Sequence, residues 1–146
     1  MRRAVLVALG TGAVIASAAA LGIGVALAPQ ARPLARAQYD AALAEIEAAR
    51  AALVAHCDEA AASARELCRA RAEAAETVRV ADLEASFRRT QESARNAQRA
   101  RIDARYQVER TECAALGGLK RDRCLVAAHA TRGRALLEAA APYERS

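Results

Sequence analysis

Apolar and charged positions divide the chain into two regimes. Ala4 to Ala28 is an uncharged run of 25 residues rich in Ala, Val, Leu and Gly. Beyond it, apolar and charged residues interleave, and from Leu34 to Leu116 no Gly or Pro interrupts 83 residues. Within this second regime Tyr39, Leu43, Ile46, Leu53 and Cys57, with Arg50 filling the gap, recur in alternating steps of four and three. That is the narrow stripe of a coiled-coil seam. Val80, Leu83, Phe87, Thr90, Ala94 and Ala97 repeat the alternation. Ala, Arg, Glu, Leu and Gln dominate, all good helix formers, and no strand-like alternation is visible. The expected fold is all-α, with helices over about 34–60, 63–116 and 119–141, the last ending near Pro142. The long middle helix would be the spine of an elongated, coiled-coil-like molecule.

The uncharged run follows Met1-Arg2-Arg3 and reads as an export signal. Two Ala-x-Ala matches offer a cleavage point, Ala26-Leu27-Ala28 and Ala35-Arg36-Ala37. Pro29 makes the first a poor peptidase site, so cleavage after Ala37 is favoured. This divides the chain into a leader, residues 1–37, and a helical domain, residues 38–146. The alternative is an uncleaved anchor, since residues 4–28 can span a hydrocarbon layer of ~30 Å. Setting the leader aside changes the meaning of the charge. Four of the 22 basic residues precede Gln38 and none of the 17 acids do, so the overall +5 falls to 18 against 17, a net +1. A strongly electrostatic partner such as nucleic acid is not implied. The 54% hydrophobic content is inflated by alanine, with only Phe87, Tyr39, Tyr106 and Tyr143 as aromatics, so a thick core is not available.

Four cysteines punctuate the helical region in two pairs of identical spacing, Cys57/Cys68 and Cys113/Cys124, 56 residues apart. With the same offset Ile46-Glu47-Ala48 matches Ile102-Asp103-Ala104, and Arg65-Glu66 matches Arg121-Asp122. Two copies of one unit, about 46–74 and 102–130, is the simplest reading. On one unbroken helix, Cys57 and Cys68 would be ~16 Å apart, whereas a disulfide needs Cα atoms roughly 5.5 Å apart. Either a turn lies within each pair, making it the clasp of a helical hairpin, or two straight helices bond crosswise as Cys57–Cys124 and Cys68–Cys113. Gly117-Gly118 favours the clasp, because glycine supplies a C-cap and tight turn. In the first unit Ser63 with Glu66 forms a capping-box pattern that would start the next helix. Whether the two hairpins share a face of the middle helix stays open.

Ala81 to Cys124 resembles a family of small, uncharacterised exported proteins of betaproteobacteria, alanine-rich and helical, with paired Cys-x10-Cys segments around a Gly-Asn turn. The second unit has Cys113, Leu116, Gly117, Lys120 and Cys124 in that pattern, with Gly118 where Asn is usual. The first keeps Cys57, Asp58 and Cys68 and lacks the turn. The resemblance implies export and a clasped helical architecture; it implies no activity.

Sharper chemistries lack their spacing. His56, the four cysteines and His129 could be recruited to a metal, but ten residues between cysteines is not the two to four of zinc sites. Haem attachment needs Cys-x-x-Cys-His, and a thiol oxidoreductase needs Cys-x-x-Cys; neither is present. Arg95, Arg99, Arg101 and Arg105 with Asn96 resemble a basic DNA-reading helix superficially, yet Glu92 and Asp103 interrupt the run and no zipper follows. No paired catalytic carboxylates, nucleophile elbow or phosphate loop is found. The expected protein is noncatalytic, without cofactor or metal, and acts structurally or by interaction in the bacterial cell envelope, in the periplasm or anchored through residues 4–28. Its expected partner is an envelope protein or a second copy of itself. A periplasmic chaperone or stress-response protein holding unfolded clients in an Ala/Leu-lined groove is the alternative, and a redox sensor with labile disulfides a third reading.

Overall fold

A computed structural model describes residues 33–140; residues 1–32 of the expected leader, including the alternative anchor at 4–28, and Tyr143 lie outside the described residues. The described chain is entirely helical outside its turns, in four helices: α1 Arg36–Asp58, α2 Ala62–Arg88, α3 Gln91–Ala114 and α4 Gly118–Ala140. α1 therefore begins two residues before Gln38, and its first free N–H groups are relieved by Gln38, whose side chain accepts from the Ala35 backbone N–H at 3.0 Å.

The uninterrupted middle helix expected over 63–116 is not formed. Arg89 takes the left-handed conformation, φ 54° and ψ 31°, and ends α2, its N–H still bonded to the carbonyl of Ala85. Thr90 then caps α3: its hydroxyl accepts from the Ser93 N–H at 3.0 Å, and the Ser93 hydroxyl accepts from the Thr90 N–H at 3.2 Å. This reciprocal pair is a capping box written with serine in place of Glu or Gln. Glu92 in the first turn adds a favourable charge beside the helix N-terminus. The spine is thus a helical hairpin, and there are four helices rather than three.

Packing runs between chain neighbours only, α1 on α2, α2 on α3 and α3 on α4. Every neighbouring pair is antiparallel, as the bridges between helices show: Arg50–Glu76 at 2.8 Å, Arg71–Glu112 at 2.8 Å and Arg132–Asp103 at 2.7 Å. The result is an open array in which α1 and α4 each have one packed side. The core is correspondingly thin. Ile46 and Tyr106 are the only large side chains buried among the described residues, beside Cys57, Cys113, Ser93 and four alanines, Ala72, Ala97, Ala104 and Ala128. Alanine brings helix backbones close but buries little apolar area per turn. Covalent links therefore carry an unusual share of the stability of the hairpins.

Candidate functional site

Two disulfides close the hairpins, Cys57–Cys68 and Cys113–Cys124, each with Cα atoms 5.5 Å apart. The two turns beside them are built alike. In the first, Glu59 N–H bonds the carbonyl of His56 and Ala60 N–H that of Cys57; in the second, Ala115 N–H bonds Glu112 and Leu116 N–H bonds Cys113. These are the same bonds displaced by 56 residues. The turns differ in how the next helix starts. Gly118 is left-handed, φ +51°, as the first residue of α4, so glycine serves the start of that helix rather than capping α3. The first turn manages without glycine because Ala61 is extended, φ −54° and ψ 144°. Ser63 is not a cap: α2 begins at Ala62, Ser63 lies inside its first turn, and the N-cap Ala61 receives no side-chain hydrogen bond. Asp58 instead ties the turn down by accepting from Arg69 at 2.5 Å.

The duplication extends to the middle of each hairpin, where the same positions are paired by different chemistry. In the first, Arg50 of α1 meets Glu76 of α2. Their counterparts at +56 are Tyr106 and Arg132, and there the Arg132 guanidinium lies 5.3 Å from the centroid of the Tyr106 ring, a cation–π contact. Asp103 accepts from Arg132 at 2.7 Å, and the Tyr106 hydroxyl shares a hydrogen bond of 2.9 Å with His129 Nε2. At the open end of the first hairpin Tyr39 stacks on Phe87 with centroids 4.7 Å apart and donates to Glu84 at 2.9 Å. Glu84 also pairs with Arg88, and its carboxyl is held below the usual carboxylate range, chiefly by Arg88 and then by Tyr39. The bond to Glu84 raises the Tyr39 phenol above its ordinary value.

The other residues singled out in the sequence are dispersed. His56 sits near Glu59 at 3.8 Å on an exposed turn, while His129 is on α4 against Tyr106. No group of three or more His, Cys, Asp or Glu that could hold a metal ion occurs among the described residues. The arginine run of α3 is spent on local pairs, Arg101 with Asp82 at 2.6 Å and Arg105 with Glu109 at 2.8 Å, while Arg95 and Arg99 edge a groove against Arg132 and Leu136 of α4. A groove of ≈ 940 Å³ between α2 and α3 is lined by Val80 and Ala81 together with Glu76, Glu84, Arg88 and Glu92. A smaller one, ≈ 400 Å³, lies against the first clasp between Leu53, Ala60, Ala64 and Leu67.

α4 carries a row of exposed large apolar side chains. Leu119, Val126 and Leu137 of α4 are 73%, 69% and 73% exposed. Steps of seven and eleven place them in one row along the helix, with exposed Ala130 and Gly133 between them. The row faces away from Cys124 and Ala128, which face α3. α4 is thus apolar on two opposite sides, with one side covered.

No helix of the described residues is long and apolar enough to cross a membrane. The chain matches no protein-family model, no curated protein and no solved structure.

Proposed function

We propose that this chain is a noncatalytic, exported helical protein with a structural or protein-interaction role in the bacterial cell envelope. The observation that carries the reading is the pair of matching clasps on a core too thin to hold the hairpins unaided. Disulfides form and persist in oxidising compartments, and a helical array stapled in this way suits the periplasm, reached by the leader or from an anchor at residues 4–28. An open groove with charged residues in its lining and a row of exposed leucines and valine on α4 offer surface for binding.

The chaperone alternative gains no specific support, since the groove between α2 and α3 carries Glu76, Glu84, Arg88 and Glu92 in its lining. Crosslinking in living cells, followed by identification of the captured proteins, tests the reading. Capture of a reproducible envelope protein or of a second copy supports it. Exclusive recovery in the cytoplasm with free thiols overturns it. Mass analysis of the mature N-terminus separates the two forms of export: a chain starting at Gln38 would lack Arg36 and its bridge to Asp40 at 3.0 Å, whereas the anchored form keeps both.

A further inference from the structure

The internal duplication supplies a template for how the open array ends. α2 packs on α3, and the residues between them fall in two rows. On α2, half-buried Ala74, Val78, Ala81 and Ala85 share a face with Arg71 and Asp82, which reach across to Glu112 and Arg101. On α3 the row is Ser93, Ala97, Ala100, Ala104, Val108 and Thr111, in steps of four, three, four, four and three, all buried or half-buried. The offset of 56 carries each row onto an outer helix. The α3 row maps onto Ala37, Ala41, Ala44, Ala48, Ala52 and Ala55 of α1, six alanines, every one exposed. The counterpart of Ala85 lies outside the described residues, and the α2 face maps only in part onto the outer side of α4, where Ala130 and Leu137 stand for Ala74 and Ala81, Val126 for half-buried Ala70, and Arg134 for Val78. These too are exposed. The chain therefore carries one half of its central interface a second time on α1 and part of the other half on α4, and the described residues cover neither.

We propose that a second copy of this chain covers them: α4 of one copy packs antiparallel on α1 of the next, in the register that α2 keeps on α3. The proposal rests on the interaction reading above and names its partner. In that register, set by Arg71–Glu112 and Asp82–Arg101, Leu137 falls between Ala44 and Ala48 of the neighbouring copy and Val126 falls against Ala55. Larger side chains of one helix then enter the shallow groove that alanines leave on the other, the arrangement by which ridges pack into grooves. The faces are different surfaces, so the contact is heterologous and extends into a chain of copies, or a ring if the rotation closes. Two features oppose the contact, Arg134 in the place of Val78 and one pair of like charges. The counterparts of Asp82 and Arg101 are Glu138 and Glu45, so the bridge at the centre of the intact interface becomes two facing carboxylates. The association is therefore weaker than the internal one and is open to strengthening by a single exchange of charge.

Sedimentation velocity over a concentration series, on the oxidised protein as isolated from the producing cell, reads the association. Leu137→Arg and Ala48→Arg each place an arginine on an exposed site, so far-UV circular dichroism should be unchanged while self-association weakens about tenfold or more. Mixing the two variants restores one intact pair of faces, and the mixture should form dimers and nothing larger. Glu45→Arg recreates the charge of Arg101 and should tighten association. A wild-type protein that stays monomeric at the highest concentration overturns the proposal, and so does an Ala48→Arg variant that associates like wild type, which would point to an α4–α4 pair. A monomer that still crosslinks to an envelope protein in cells would remove this inference and leave the interaction reading standing.

Discussion

Arg71 of α2 donates to Glu112 of α3 at 2.8 Å, and this places Cys68 and Cys113 at the same end of the molecule. On an unbroken spine the two clasps would stand ~68 Å apart. Folding that spine at Arg89 and Thr90 brings both disulfide turns to one end and leaves the Arg89–Thr90 turn at the other. One end of the array is covalently closed twice, while the far end relies on a single cap and on the Tyr39–Phe87 contact.

The fold at residues 89 and 90 can be tested by the sign of two substitutions. Thr90→Ala removes the cap of α3 and should destabilise by about 1 kcal/mol. Arg89→Gly relieves a side chain from the left-handed region and should be neutral or stabilising. Both signs reverse on a continuous helix, where alanine is the better residue and glycine costs about 1 kcal/mol. Urea denaturation of the two variants decides, and a stabilised Thr90→Ala protein would return the molecule to a rod.

Much of this architecture can be read from the chain, for identifiable reasons. The α1 seam is legible in most of its positions because its large residues are few and regularly spaced: Tyr39 meets Phe87, Ile46 is buried, Arg50 meets Glu76 and Cys57 is bonded, while Leu53, placed in the same stripe by its spacing, is 47% exposed. The break at Arg89 hides because Val80, Leu83, Phe87, Thr90, Ala94 and Ala97 continue the four-and-three alternation straight through a turn, with no Gly or Pro to mark it. The cue was available elsewhere. An offset of 56 takes the start of α1, Arg36, to Glu92, within one residue of the start of α3, so a repeated hairpin requires a helix to begin there. Thr90 with Glu92 and Ser93 supplies the matching cap chemistry. The exposed α4 row escapes for the opposite reason: Leu119, Val126 and Leu137 are too widely spaced to form a seam and acquire meaning only when set beside α2.

The disulfides should survive intact mapping in one pattern. Non-reducing proteolysis should yield Cys57 with Cys68 and Cys113 with Cys124. Removing either clasp as a double Cys→Ala variant should cost on the order of 2 to 3 kcal/mol, read as a lower denaturation midpoint. Any peptide joining Cys57 to Cys113 or Cys124 would falsify the hairpin arrangement.

Ile46 is the one large aliphatic residue buried among the described residues, at 5% exposure. In a core whose other buried side chains are mostly alanine and disulfide-bonded cysteine there is little that can collapse into the space it leaves. Ile46→Ala should therefore cost about 2 to 4 kcal/mol. The exposed Leu53→Ala, by comparison, should fall within about 0.5 kcal/mol of wild type. Equal losses at both positions in chemical denaturation would mean that α1 packs on α2 through a different face.

The Tyr39–Glu84–Arg88 cluster should leave its mark at both ends of the pH scale, with opposite signs. Glu84 has a folded pKa below its unfolded value, so its contribution is present above the ordinary carboxylate range and fades as pH falls through the folded value. Tyr39 has a folded pKa above its unfolded value, so its contribution is present below the ordinary phenol range and fades as pH rises through the folded value. Both groups are only half-buried, which keeps the amplitudes small. Site-resolved NMR titration should show Tyr39 ionising above an unperturbed tyrosine, and Glu84→Gln should bring it part of the way back, because the amide still offers an acceptor but no longer carries the charge that opposes ionisation. Tyr39→Phe should raise the Glu84 pKa only in part, since Arg88 is the larger cause of its depression. A Tyr39 titration unmoved by Glu84→Gln would remove this cluster from the contacts that hold the open end of the first hairpin.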